Sequence, residues 1–246
     1  MEETLERAMT RLAEALRTKR RVTVLTGAGV SAASGVPTFR GSGGLWRSYD
    51  PMTLATPEAF ARDPALVWEW YDWRRQTIAA AEPNAAHHVL AEWSRTRPDF
   101  TLITQNVDGL HERAGTERVL RLHGSIWELR CTGRCGAAAH TDTRTPLPEL
   151  PPRCASCGAL LRPGVVWFGE ALDLTVIAAA AAAVEQCDLF LTIGTSAMVY
   201  PAAGLIHEAR AGGAVVAEIN PDATDASHTV DIVVRGKAEE VLPALR

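Results

Sequence analysis

The chain has 246 residues, with 25 Lys and Arg against 29 Asp and Glu and a formal net charge of -4. Its 47% hydrophobic and 22% charged residues are the balance of a folded globular protein, which excludes a disordered chain. The mild acidity argues against a nucleic-acid partner, for which a basic excess is expected, and five cysteines are too few for a disulfide scaffold.

Residues 3–19 place Leu5, Ala8, Met9, Leu12, Ala15 and Leu16 at a helical period. The charged opening residues lack the apolar core of a signal peptide. The longest apolar stretch, residues 176–184, is far shorter than the roughly 20 residues a membrane span needs. A cytoplasmic protein with no membrane partner is therefore expected. Residues 21–26 form a short β-branched run ending at glycine. Similar runs recur at 100–104, 119–122, 189–193, 214–219 and 232–234, and helix-like stretches lie at 85–93, 174–185 and 202–211. Continuous apolar strands alternating with helices predict an α/β fold, a Rossmann-like parallel sheet with helices on both faces.

Two stretches break this rhythm. Residues 41–80 show no strand but carry Trp46, Trp68, Trp70 and Trp73, and residues 128–162 hold four of the cysteines together with prolines. The expected division is a large domain from residues 1–40, 81–127 and 163–246. A small domain would combine a helical insert at 41–80 with a zinc-binding module at 128–162.

After the first β run, Gly27-Ala28-Gly29-Val30-Ser31-Ala32 fits the G-x-G-x-x-A dinucleotide fingerprint. Small residues there let backbone N–H groups approach a pyrophosphate; the same residues also suit a tight strand-to-helix turn. The acid usually found about 20 residues further on is not convincing, because Asp50 is followed by Pro51 and preceded by no strand. An ordinary dehydrogenase is disfavoured. Cys131-x3-Cys135 and Cys154-x2-Cys157 match the spacing of a four-thiolate zinc site. Four thiolates fill a tetrahedral ion, so such a site is structural. Reduced, unliganded thiols are the alternative, and Cys187 reads as a small buried residue.

Several blocks, in order along most of the chain, resemble the sirtuins, the NAD-dependent protein deacylases. They are Gly27-Ala28-Gly29-Val30-Ser31-Ala32 continuing to Thr38-Phe39-Arg40-Gly41, then Thr104-Gln105-Asn106-Val107-Asp108-Gly109-Leu110-His111, and Leu122-His123-Gly124-Ser125. Val165-Val166-Trp167-Phe168-Gly169-Glu170 resembles the family's substrate strand, and Gly194-Thr195-Ser196 and Glu218-Ile219-Asn220 resemble later cofactor contacts. Tyr71-x-x-Arg74 and Leu54-Ala55-Thr56-Pro57 are similar to the class III branch, which removes acidic acyl groups such as succinyl and malonyl. On a helix Tyr71 and Arg74 share a face, and an arginine fork beside a phenol suits a carboxylate. The same pair also suits an aromatic core face with a solvated arginine. One departure is Gly164, where many relatives carry histidine or asparagine.

The resemblance implies that NAD is consumed as a co-substrate. The acyl-lysine carbonyl oxygen attacks the ribose C1′ as nicotinamide leaves. His123 acts as general base on a ribose hydroxyl, and free lysine and O-acyl-ADP-ribose result. Histidine is the side chain whose unperturbed titration suits that task. Asn106 and Asp108 join His123 as catalytic residues. NAD contacts are implied for Gly27, Ala28, Gly29, Ser31, Ala32, Thr38, Phe39, Arg40, Gln105, Asn106, Val107, Asp108, His123, Gly194, Thr195, Ser196, Asn220 and Ala238. Asn106 and Asp108 alone also read as a capped turn after a strand. Substrate contacts are implied for Ala55, Tyr71, Arg74, Val165, Val166, Trp167 and Phe168. The last four would pair with an extended peptide as an added strand, or would form a buried core strand. The implied partners are acyl-lysine proteins, with removal of succinyl, malonyl and acetyl groups by a monomer holding one structural zinc. The other readings are a plain deacetylase, a mono-ADP-ribosyltransferase of the same fold, and a non-catalytic NAD-binding module.

Overall fold

The computed structural model describes residues 4–39, 44–45, 48 and 50–246. Helix α1 (Leu5–Thr18) is capped by the Thr4 hydroxyl, which accepts from the Arg7 N–H, and it buries Ala8, Leu12, Ala15 and Leu16 on one stripe. It leads into β1 (Val22–Thr26), whose five residues are all buried. A 3-10 turn over Ala28–Ser34 follows. The described residues up to position 80 then form three helices, α2 (Pro51–Leu54), α3 (Pro57–Arg62) and α4 (Pro64–Ala80). Asp50 caps α2 through the Met52 N–H, so the acid at this position ends a loop and not a strand.

Next come α5 (Ala85–Thr96), β2 (Phe100–Thr104), α6 (Leu110–Arg113), β3 (Val119–Arg121), β4 (Gly124–Cys131), β5 (His140–Thr141) and β6 (Leu161–Val165). The chain closes with α7 (Leu174–Gln186), β7 (Leu189–Ile193), α8 (Gly204–Ala211), β8 (Val215–Asn220), β9 (Ile232–Arg235) and α9 (Ala238–Val241).

Six strands form one sheet in the order β3-β2-β1-β7-β8-β9, and every pairing is parallel. Helices cover both faces, as the apolar runs require. Val22 and Val24 face the core under α1 and α5, whereas Leu25 faces the core under α7 and α8; the period of two sorts the strand between the faces. The strand order changes direction between β1 and β7. Thr26 stands level with Thr104 on one side and Ile193 on the other, so three strands end together at that switch point.

The second sheet, β5-β4-β6, is antiparallel. β4 starts at Gly124 and β6 ends at Val165, each a few residues beyond the 128–162 stretch. This sheet shares an apolar core with α2 to α4, built on Trp68, Phe60, Ile126, Leu129 and Leu161. The Trp68 indole N–H donates to the Leu161 carbonyl at 2.8 Å. A Cβ at Gly164 would meet the Glu128 Cβ at 2.4 Å, where the β4–β6 register shifts. Glycine at 164 is thus fixed by packing against β4.

Candidate functional site

The ends of β1, β2 and β7 open into a cavity of about 1070 Å³. One wall is the Gly27 to Ser34 turn, and the loop after β7 is seated directly on it. The Gly29 N–H donates to the Gly194 carbonyl at 2.8 Å. A Cβ on Gly29 would lie 2.7 Å from Gly194 Cα, and one on Gly194 would lie 2.5 Å from the Val30 nitrogen. Gly194 also holds φ +60. The glycines are therefore required by one another, in addition to any pyrophosphate. Thr195 is held from two sides: its hydroxyl accepts from Gln105 Nε2 at 2.9 Å and its carbonyl from Asn220 Nδ2 at 2.9 Å.

Behind the loops lies a buried polar network. The Asn84 N–H donates to His87 Nδ1 at 3.2 Å, which closes a capping box on α5 and leaves Nε2 carrying the proton. Ser31 Oγ lies 3.3 Å from that nitrogen, accepts from Asn106 Nδ2 at 3.3 Å, and donates to Asp108 Oδ2 at 2.8 Å. Asn106 Nδ2 also donates to the Gly27 carbonyl at 3.1 Å. His111 Nε2 lies 2.9 Å from the Thr26 hydroxyl, which donates to Thr104 Oγ1 at 2.8 Å. Burial pushes His87 down to about 4 and His111 well below the ordinary histidine value, so both rings are neutral. Burial pushes the Asp108 carboxyl up, against the Leu110 N–H and the Ser31 hydroxyl, which hold it down.

His123 follows β3 and stands half-buried at the cavity. Its Nδ1 lies 3.0 Å from the Gln105 carbonyl. A carbonyl only accepts, so Nδ1 carries the proton and Nε2 keeps its lone pair. Burial lowers the His123 titration and the Gln105 carbonyl partly opposes this, so the neutral ring prevails at neutral pH.

At the other end of the cavity, Arg74 is only 8% exposed. Its guanidinium lies 4.9 Å from the Phe39 ring, 4.8 Å from Trp70 and 5.5 Å from Tyr71. Among the described residues no carboxylate lies within ion-pair distance of it; burial lowers its titration from the ordinary arginine value, and Tyr71 and Asp108 partly oppose this. The Tyr71 hydroxyl accepts from Trp167 Nε1 at 2.9 Å. Ala55 is buried beside them, and its carbonyl accepts from the Phe168 N–H at 2.9 Å.

The expected substrate strand is displaced. The strand covers Leu161–Val165, and the segment beyond it turns because its N–H groups are used within the chain. Val166 donates to the His123 carbonyl, Trp167 to Glu170 Oε2, and Phe168 to Ala55.

The sulfur of Cys131 stands 3.6 Å from those of Cys135 and Cys157, and Cys135 stands 3.9 Å from Cys154. All four lie within 4.8 Å of one another. Sulfurs about 2.3 Å from a tetrahedral zinc stand ~3.8 Å apart, so this donor set fits the ion. The N–H groups of Ser156 and Cys157 pull the Cys154 thiol down to about 6.

The cavity brings together Gly27, Ala28, Gly29, Ala32, Thr38, Phe39, Ala55, Tyr71, Arg74, Gln105, Asn106, Val107, His123, Val165, Val166, Trp167, Phe168, Gly194, Thr195, Ser196, Asn220 and Ala238. Ser31 and Asp108 sit behind its wall. Arg40 lies outside the described residues. The sequence reads His87 as a structural or exposed histidine, and the structure gives it a structural place, at N3 of the α5 capping box. Sequence reasoning missed Trp70, whose ring supports Arg74.

The Sir2 family pattern matches residues 27–201, which span the glycine turn, His123 and the cysteines. An NAD-dependent protein deacylase of Aquifex aeolicus is 52% identical over 88% of this chain and 90% of its own length. A Sir2 homologue mutant in complex with ADP-ribose has a TM-score of 0.92 at 46% identity, covering 100% of this chain and 95% of its own. A Sir2 homologue in complex with NAD has a TM-score of 0.90 at 47% identity, covering 96% and 91%. With the switch-point cavity, the glycine turn and the four-sulfur cluster all in place, these likenesses make the chain a member of the Sir2 family.

Proposed function

We infer that this chain removes acidic acyl groups, succinyl and malonyl, from protein lysines, and removes acetyl as well. It is an NAD-dependent protein deacylase. The observation that carries the acidic preference is Arg74, a desolvated cation boxed by aromatic rings at one end of the cavity, with Asp108 acting on it only from beyond ion-pair distance among the described residues. A carboxylate on the acyl tail would supply the missing partner, and a buried charge gains most from such a partner. Ala55 beside Tyr71 leaves room for the longer tail.

In this proposal Gly27, Gly29, Gly194, Thr195 and Ser196 hold the NAD phosphates, while Asn220 and Ala238 hold the adenosine end. Gln105, Asn106 and Val107 face the nicotinamide ribose. Ser31 and Asp108 act from behind, keeping Asn106 in position. The lone pair on His123 Nε2 takes the ribose hydroxyl proton. A substrate peptide lying along Val165 to Phe168 would present its N–H groups to carbonyl oxygens, since the local N–H groups are already donated. Zinc, bound by Cys131, Cys135, Cys154 and Cys157, ties β4 to the loop before β6. A monomer acting in the cytoplasm belongs to the same proposal and rests on the sequence alone.

The test compares kcat/KM on succinyl- and acetyl-lysine versions of one peptide. Arg74→Met should lower the succinyl-to-acetyl ratio by about a hundredfold, the worth of a charge-assisted pair. An unchanged ratio would leave a plain deacetylase.

A further inference from the structure

Trp167 is held more firmly than a wall residue needs to be. It is 3% exposed, and its ring lies 5.3 Å from Phe60. The Arg162 guanidinium lies 3.6 Å from the indole centroid. Arg162 is itself fixed by a two-pronged ion pair to Glu170, at 2.6 and 2.8 Å. The same Glu170 carboxylate accepts the Trp167 backbone N–H at 2.9 Å. Backbone and ring are thus braced by one ion pair.

The braced indole has one polar atom, and it points at Tyr71. The Trp167 Nε1–H donates to the Tyr71 hydroxyl at 2.9 Å. An indole nitrogen only donates, whereas a phenol both donates and accepts. A phenol proton prefers the ring plane, where it has two positions on opposite sides of the oxygen. The indole N–H occupies one side, so the Tyr71 proton is directed to the other. Among the described residues no acceptor takes that proton. Burial pushes the Tyr71 phenol up, so the proton stays on at neutral pH.

We propose that Trp167 is a positioning residue for acyl specificity, forcing Tyr71 to act as a hydrogen-bond donor beside Arg74. This rests on the acidic-acyl reading above. An ionised carboxylate can only accept. A phenol presenting its lone pair repels such a tail, and one presenting its proton binds it. Without the indole N–H, Tyr71 is free to take either orientation, and the cavity loses part of its discrimination between an acidic tail and acetyl.

The test uses full-length protein and NAD, with succinyl- and acetyl-lysine forms of one peptide. Trp167→Phe keeps an aromatic ring and removes the N–H. It should lower the succinyl-to-acetyl kcat/KM ratio about twofold, because only about half of the freed phenols then present their proton. The loss should appear in KM for the succinyl peptide more than in kcat. In the Tyr71→Phe background the same change should leave the ratio where Tyr71→Phe alone put it, because there is no proton left to direct. Trp167→His, which restores a ring N–H, should recover part of the ratio. Equal losses on both peptides, or a further drop in the Tyr71→Phe background, would show a packing role and overturn the proposal. If Arg74→Met shifts the ratio and Trp167→Phe does not, this inference fails while the acidic-acyl reading stands. If Arg74→Met does not shift it, that reading fails first.

Discussion

Arg74 and Arg75 are neighbours on α4 and both are buried, but of the two only Arg75 donates to protein oxygens among the described residues. Arg75 donates to the carbonyls of Ile126, Asp142 and Arg144 at 2.9, 2.6 and 2.8 Å, with the Asp142 carboxylate 3.9 Å away. It staples the helix to the antiparallel sheet. Arg74 is stacked on rings and left without an acceptor among the described residues.

That difference predicts opposite effects on stability. Arg75→Met should cost about 3–5 kcal/mol, because the carbonyls of Ile126, Asp142 and Arg144 lose their donor. Arg74→Met should leave stability unchanged or raise it, because a desolvated charge without a partner is removed. Urea unfolding of the two variants checks this; the reverse order would mean that Arg74 has a protein partner.

The second prediction concerns pH. A general base works when neutral, and His123 is shifted below the ordinary histidine value of 6.5 by burial. The acid limb of kcat/KM should therefore lie below pH 6.5, with activity level above it. A limb centred above pH 6.5 would contradict the burial of this ring. His123→Tyr should abolish acyl-dependent nicotinamide release.

Stability should also depend on pH, through His87 and His111. Both fold as neutral rings with depressed titration, His87 to about 4. The unfolded chain takes up protons as pH falls below the ordinary 6.5, and the folded chain does not, so stability is lost across that window. Each histidine contributes a slope of about 1.4 kcal/mol per pH unit there. Measured unfolding free energies from pH 7 to 5 should fall less steeply in His87→Gln than in the parent chain; identical slopes would exclude His87 as a source.

Metal analysis should find one zinc per chain, and chelation should lower the melting temperature, since structural zinc adds to folding free energy. Cys154→Ser should do the same. Because β6 runs from the cysteine cluster to Val165 at the cavity, metal loss should also raise KM for the acyl peptide. A metal-free protein with an unchanged melting temperature would disprove the structural role.

Much of this was legible in the residues. The six parallel strands fall within a residue or two of the apolar runs, because strands buried on both faces need uninterrupted apolar sequence. The cysteine spacing announced the sulfur cluster, and the i, i+3 spacing placed Tyr71 and Arg74 on one face. Other features depend on contacts that no local pattern encodes. Trp167 and Tyr71 are 96 residues apart, and the Arg75 staple reaches 51 to 69 residues along the chain. Side-chain direction was equally hidden: Ser31 and Asp108 are in the expected motifs but face each other behind the cavity wall. The strand expected at Val165 to Phe168 stops at Val165, because turn contacts with Glu170 and Ala55 claim the following N–H groups.

The cavity at the strand ends is walled by three packed cores. The turn after β1 and the loop after β7 pack on the cores of the parallel sheet through Val30 and Ala197, whereas Ala55, Tyr71, Val165 and Trp167 belong to the core shared by α2 to α4 and the antiparallel sheet, which Val36 after β1 and Leu110 after β2 also join. On the proposed acidic-acyl reading, substitutions at Ala55 or Tyr71 should retune which acyl chain is accepted without repacking the six strands of the parallel sheet. Acyl choice should then vary with little change in the KM for NAD, so that variation in one trait need not be compensated in the other.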